Sequence, residues 1–256
     1  MKSKIVIFEG NKNDGVFSSS KKFYPSNYTE KDIFNSIKQD RIKLGKKYNF
    51  SGLKMFQVRQ KMENNNSYPD NKDTLITEDH FQKEDYFTEK IEADILFINQ
   101  KYKKIALSHR MADCPILIAE DRKKGYTGIV HCGIYHINRG LPKEFIKKMI
   151  EKYHSNPTDI YLYIGSFIKK ESYIYDSYPK IATNNKIWVD AIIKKEDGYH
   201  IDLLKAITNQ IEEYHLAEIK VSKIDTAKDK NYASHYAAVH GDKSKLGQNI
   251  VGFYYK

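Results

Sequence analysis

The sequence predicts an α/β fold, a single-domain α/β/β/α sandwich with mixed sheets, and three observations carry that expectation. Strand-length apolar runs recur from end to end, at residues 4–8, 53–60, 94–98, 104–109, 115–119, 126–131, 159–164, 172–175, 217–223 and 250–255. Segments with the 3.6-residue apolar spacing of helices interrupt them, near 30–46, 142–150 and 200–211. Turns in the strand-rich middle are short enough for antiparallel neighbours, so strands can gather into sheets whose outer faces the helices cover.

Taken in order, 4–8 opens as a strand and runs into a Gly/Asn/Asp loop. Thr29-Glu30-Lys31-Asp32 supplies an N-cap for a helix reaching about Lys46, with Ile33, Ile37, Ile42 and Leu44 as its apolar positions. After the strand at 53–60, residues 61–90 are polar and rich in Asn, Asp, Glu and Lys, which predicts a long mobile loop with one short ordered piece. Asp121-Arg122-Lys123-Lys124-Gly125 has turn chemistry and lies between two apolar runs, so 115–119 and 126–131 should form a hairpin. Pro142 suits a first helical turn, and Phe145, Ile146, Met149 and Ile150 form a stripe behind it. Residues 186–189 lead into the last third, and the run from His200 predicts a third helix with Ile207 and Ile211 inward. Strands at 217–223 and 250–255 then close the sheets. No composition break or Pro/Gly/Ser linker divides the 256 residues, so one domain over 1–256 is expected.

The 43 Lys and Arg against 33 Asp and Glu give a net charge of +10 and a pI near 9.2, which raises nucleic acid as a partner. The lysines, however, are scattered as pairs such as Lys46-Lys47 and Lys147-Lys148, and no nucleic-acid module is recognisable. A solvated surface accounts for them, and no specific nucleic acid is expected. The apolar start is too short for a signal sequence and no run approaches a membrane span, so the expectation is a cytoplasmic protein with no membrane partner. Cys114 and Cys132 make neither a CxxC pair nor a disulfide framework, in keeping with a reducing compartment. A small-molecule substrate is the expected partner, and the sequence leaves the oligomeric state open.

Chemistry concentrates where the hairpin would bring Cys114 and His131 together. A thiol beside an imidazole can act as a nucleophile, or the two can hold a soft metal. The plainer alternative is a buried cysteine and a hydrogen-bonded histidine at a strand end. Cys132, one residue on, should point to the opposite face of its strand.

The same segment resembles the laccase-domain family, the multicopper polyphenol oxidoreductases also described as zinc-dependent purine nucleoside phosphorylases with adenosine deaminase side activity, the peptidoglycan-editing factor among them. Met111-Ala112-Asp113-Cys114-Pro115 is similar to the family's Thr-Ala-Asp-Cys-Pro, and Val130-His131-Cys132-Gly133-Ile134-Tyr135-His136 to its Val-His-Ala-Gly-Trp-Arg-Gly. Fainter similarities follow in family order at Gly15-Val16-Phe17-Ser18-Ser19, Phe56-Gln57-Val58-Arg59-Gln60, Glu92-Ala93-Asp94-Ile95-Leu96, Ile164-Gly165-Ser166-Phe167-Ile168 and Tyr232-Ala233-Ser234-His235-Tyr236. The resemblance implies the sandwich fold that the cytotoxic-necrotizing-factor deamidases share, catalytic roles for Cys114 and His131, and a zinc held by His, Cys and His. Here the first ligand falls on Arg59, a permanent cation, which leaves Cys114 and His131 as metal ligands with His136 or His80, or else His109 or His235, as candidates for the third.

The family's arginines fall on Ser19, Tyr135, Tyr236 and Gln248. Arg59, Tyr135, His136, Ser234, Tyr236 and Gln248 are the candidate substrate-binding residues. Zinc binding is expected to be weak, and so is phosphorolysis, since phosphate is usually held by arginine forks; Arg59, Arg110 and Arg139 are the cations nearest in sequence. The leading reading is a divergent family enzyme acting on a nucleoside-like or other small ring-bearing substrate through Cys114 and His131. One alternative is a metal-independent Cys/His amidase or deamidase, with Arg59 favouring the thiolate. Another is a catalytically inactive binding protein whose tyrosines suit a neutral ring.

Overall fold

Two sheets stack face to face in the computed structural model, which describes residues 5–15, 25–59, 62–63, 66–67, 72–81, 91–183 and 185–256. The first sheet has the order β1 (Ile5–Gly10), β16 (Asn249–Tyr255), β8 (Ala106–Met111), β2 (Met55–Arg59) and β6 (Ile91–Glu92). The second runs β15 (Glu218–Val221), β11 (Ile160–Ile164), β9 (Ile116–Asp121), β10 (Tyr126–His131), β7 (Ile95–Asn99) and β5 (Asp73–Ile76). Both are mixed: β2 pairs with β8, β11 with β15 and β5 with β7 in parallel, whereas β9 and β10 are antiparallel. Two smaller ladders join β12 (Ile174–Tyr175), β14 (Gly198–Ile201) and β13 (Ile192–Lys195), and β3 (Met62–Glu63) with β4 (Asn66–Ser67).

Period-two alternation decides the layering. On β9, Ile116 and Ile118 enter the core between the sheets, while Leu117 and Ala119 face α4 (Leu141–Tyr153) and α6 (Leu203–Ile211). β10 divides the same way at Ile129 and Val130. From the other sheet, Leu107, Val251 and Phe253 complete the inner core, and Ala106, Ile250 and Tyr254 turn outward to Leu44 of α1 (Glu30–Tyr48). Three apolar clusters thus separate four layers, giving the predicted α/β/β/α sandwich.

Local chemistry explains the elements that position the site. Thr29 Oγ1 accepts the Asp32 N–H (3.2 Å) and the Asp32 carboxylate accepts the Thr29 N–H (2.9 Å), a reciprocal cap that starts α1. Asn49, left-handed at φ 62°, ends it. Ile33, Ile37 and Leu44 are buried as expected; Ile42 is half-buried. In the β9–β10 hairpin, Asp121 Oδ1 accepts the N–H groups of Lys123 (2.8 Å) and Lys124 (2.9 Å), and Gly125 supplies φ 74°. The register then sets His131 opposite Ile116, next to Pro115 and Cys114.

Three expectations change. Within 61–90, residues 73–76 form β5 at a sheet edge, and α2 (Glu78–Phe81) follows. Residues 186–189 contribute to a short helix, α5 (Asn185–Trp188), and His200 and Ile201 belong to β14. The third helix starts later because Asp202 is its cap, its carboxylate accepting the Lys205 N–H at 2.9 Å.

β5 is tied down by charge. Asp73 accepts hydrogen bonds from Lys148 (3.0 Å) and Lys152 on α4. Burial raises its carboxyl pKa, but the two ammonium groups outweigh burial and the net shift is downward from 3.8. A carboxyl with a lowered folded-state pKa stabilises above its unfolded value, and that stability is lost as pH falls through the folded value. Asp73→Asn should therefore cost about 1 kcal/mol at neutral pH, with the gap closing in acid below the ordinary carboxyl range. Thermal melts at pH 7 and pH 3 check this; an equal gap at both would refute it.

Candidate functional site

The open end of the β9–β10 hairpin is pinned by the Cys132 N–H donating to the Pro115 carbonyl at 2.9 Å. Chain direction then reverses through Gly133 into α3 (Ile134–Asn138). Cys132 is fully buried in the helix-side core. Gly133 has φ −68°, a conformation open to any residue, so the glycine is there for space. A Cβ at this position would stand 3.1 Å from Cys114 Sγ, 3.4 Å from His136 Nδ1 and 3.9 Å from His131 Nε2. Cys114 and His131 are thus brought together, and His136 joins them around Gly133. Gly133→Ala should fold normally yet slow labelling of Cys114 by a thiol reagent, because the added Cβ would crowd Sγ at 3.1 Å; labelling at the wild-type rate would show that the sulfur is indifferent to this position.

Electrostatics at this point favours neutral groups. Burial pushes the His131 pKa down to about 4. Burial, with His131 and Arg139 adding to it, pushes His136 down to about 3. His109 on β8 is lowered too, chiefly by burial. Burial together with Asp113 pushes the Cys114 thiol up to about 12, although the residue keeps intermediate exposure. The ring centroids of His131 and His136 are 5.3 Å apart, those of His109 and His131 6.1 Å. Such surroundings hold a thiol and imidazoles, not a ready thiolate–imidazolium pair.

Cys114 opens into a cavity of about 550 Å³. Tyr173, Tyr175 and Tyr236 wall it, and Asp176, Asp197, His235 and His240 stand among its other lining residues. Tyr173 lies edge-on to Tyr236 (5.4 Å, 89°), and His240 stacks on Tyr236 at 4.0 Å. The Tyr236 hydroxyl donates to the Ile174 carbonyl at 2.6 Å, fixing the ring. Asp113 holds the floor: Oδ1 accepts the Thr226 hydroxyl and Oδ2 the Tyr236 N–H, each at 2.7 Å. Its φ of 85° is left-handed, which a non-glycine residue adopts only where its surroundings enforce it.

The other sequence candidates are placed variously. Tyr236 lines the cavity. Ser234 does not; it is fully buried and its hydroxyl caps α7 (His235–Val239) by accepting the Ala237 N–H. Tyr135 is 38% exposed on α3, outside the lining, and Gln248 is also outside it with Oε1 buried and unpaired. His80 Nδ1 accepts the Thr77 N–H at 3.1 Å, which makes it part of the entry to α2. Arg59 ends β2 with its backbone opposite Glu92, its side chain outside the described residues, as Ser19 is. Arg110 and Arg139 do not line the cavity. Sequence reasoning missed Asp113, Tyr173, Tyr175, Asp176, Asp197 and His240; the Tyr-Ile-Tyr-Asp alternation at 173–176 was the available signal.

The family resemblance implies a three-ligand metal centre, and its own ligand set does not fit here. Arginine occupies the first position. Among the described residues, no three His, Cys, Asp or Glu side chains stand close enough, as placed, to hold a metal ion.

Over 92 residues the chain is 34% identical to a Bacillus subtilis (strain 168) protein named purine nucleoside phosphorylase YlmD, a match covering 36% of this chain and 32% of that relative's length. Among solved structures it is similar to YlmD from Geobacillus stearothermophilus (TM-score 0.72, 17% identity, 87% of this chain and 81% of that one). It is similar as well to the Bacillus licheniformis hypothetical protein YfiH (TM-score 0.69, 18% identity, 87% and 82%) and to a Neisseria meningitidis protein (TM-score 0.69, 11% identity, 100% and 96%). At such identities these likenesses establish the fold. Residues 12–252 match the family described as multi-copper polyphenol oxidoreductase laccase, and the chain belongs to that family.

Proposed function

We propose that this chain is an enzyme acting on a nucleoside-like, uncharged ring-bearing molecule in the cavity over Cys114, with water rather than phosphate as the second reactant. The cavity wall carries this reading. Three tyrosines offer faces and edges for a planar ring, Asp176 and Asp197 can accept hydrogen bonds from hydroxyl or amino groups, and the described lining contains no Lys or Arg. A phosphate there would meet carboxylates without a compensating cation. The name of the Bacillus subtilis relative, purine nucleoside phosphorylase, supports the nucleoside half of the reading. Within the site, neutral His131 is in the state that accepts a proton and the Cys114 thiol in the state that donates one, while Asp113 holds Tyr236 against the substrate space. The environment described above gives the metal-free thiolate mechanism no preformed nucleophile.

The test is chromatography of adenosine, inosine and guanosine after incubation with the protein, with and without phosphate. Base release or deamination at equal rates in both buffers is the expected result. Strict dependence on phosphate, or no product from any of the three, would overturn the proposal.

A further inference from the structure

We propose that Asp197, clamped by His200, is the residue that reads sugar hydroxyls in this cavity and selects ribosyl ligands over deoxy ones. The inference rests on the nucleoside reading above and adds the group that holds the sugar. The first observation is the His200 ring. His200 is 4% exposed and outside the cavity lining, and both of its ring nitrogens face oxygen: Nδ1 stands 2.9 Å from the Lys170 carbonyl, and Nε2 stands 2.7 Å from Asp197 Oδ1. A carbonyl and an ionised carboxylate are acceptors only. Chiefly the bond to His200 holds the Asp197 carboxyl below its ordinary 3.8, so it is ionised at neutral pH. Each ring nitrogen must then carry its own proton, and His200 is an imidazolium that donates to both oxygens.

The second observation is how the carboxylate is presented. β13 and β14 pair Lys195 with Gly198, so Glu196 and Asp197 form the tip of a tight hairpin. Gly198 takes φ 135°, and a Cβ there would stand 2.7 Å from the Tyr175 carbonyl, so glycine lets β14 close on β12 and brings Asp197 beside Tyr175 in the lining. His200 sits on the central strand of the same small sheet, opposite Ile174 and Ile193, which fixes the ring that holds the carboxylate. The bond ties Oδ1 and leaves Oδ2 for a ligand, and the 58% exposed side chain keeps that oxygen within reach. An acceptor already held in place loses less rotamer freedom on binding than a free one. An ionised acceptor also bonds a hydroxyl more strongly than a neutral one. The charge of the buried imidazolium is neutralised by Asp197, so an anionic ligand gains nothing from it, whereas the hydroxyls of a ribose meet an oriented carboxylate. Asp176, the other carboxylate of the lining, is the competing acceptor.

The clamp and the selectivity are tested separately. Histidine-selective nitrogen NMR of the full chain at neutral pH should show the His200 ring, identified by its loss in His200→Gln, with both nitrogens protonated. Calorimetric titrations with inosine and 2′,3′-dideoxyinosine are then made on the Cys114→Ala chain, in which turnover is slowed. Inosine should bind more tightly by about 10- to 100-fold, the range set by a hydrogen bond to a charged group. Asp197→Ala in the same background should remove that difference by weakening inosine alone, and because it alters an exposed hairpin tip it should leave the melting midpoint close to that of its parent. Asp176→Ala should keep the difference. A His200 ring with one unprotonated nitrogen would overturn this inference and leave the nucleoside reading standing. So would equal binding of the two ligands, or a difference that survives Asp197→Ala or vanishes in Asp176→Ala. Binding of neither nucleoside would overturn both.

Discussion

Cys114→Ala is expected to lower nucleoside turnover on the order of 10³-fold, in the range that positioned proton-transfer groups contribute, while shifting the melting midpoint by only a few degrees. The two effects separate because of where the sulfur sits. Cys114 is half-buried at the cavity floor and outside the three apolar clusters, so removing Sγ leaves little unfilled core. Cys132, fully buried against the helices, should behave in the opposite way: Cys132→Ser would bury a hydroxyl in the apolar layer and cost stability more than activity. Steady-state rates on the nucleoside found active, with calorimetry on the same samples, decide the matter. If Cys114→Ala kept most of its rate, the chemistry would have to lie elsewhere, even with the fold intact.

The parts of this architecture that could be read from sequence are those governed by neighbours in the chain. Thr29 and Asp32 lie three residues apart and make the cap between themselves, and Asp121 closes its own turn, so α1 and the Cys114–His131 hairpin were legible. Where two local signals competed, the nearer apolar pattern misled: His200 and Ile201 look like a helical start, yet Asp202 caps the helix and the preceding pair serves β14. β13 was hidden because Ile192 and Ile193 run into Lys194-Lys195-Glu196-Asp197-Gly198, which reads as plain loop; the hairpin it forms with β14 brings Asp197 to the cavity. The cavity was less legible still. Its walls come from 112–114, 173–176, 197 and 235–240, segments that only the sheet order brings together. That His136 would be buried with both nitrogens unpaired is likewise a property of packing, which a histidine replacing a glycine in the motif could not reveal.

Asp113→Ala should be the most damaging single change in the site, costing about 3–5 kcal/mol, because hydrogen bonds to a charged group are worth roughly 1.5–3 kcal/mol each and two are lost together. For a chain of this size that corresponds to a fall in melting midpoint on the order of 10 °C. The residue joins four segments: its carboxylate takes the Thr226 hydroxyl and the Tyr236 N–H, its carbonyl takes the Ile168 N–H, and its peptide leads into Cys114. Those ties hold a left-handed backbone that alanine tolerates poorly. Asp113→Asn makes the informative comparison, since asparagine accepts φ above zero and can turn its carbonyl to the Tyr236 N–H while its amide donates to the Thr226 oxygen. It should lose only about 1 kcal/mol. Because the Tyr236 wall is anchored through this carboxylate, Asp113→Ala should also raise KM along with lowering kcat, whereas Cys114→Ala should lower kcat alone. Equal stability losses for the alanine and asparagine variants would mean that the two bonds are not what hold the floor of the cavity, and that the strained turn is maintained from elsewhere.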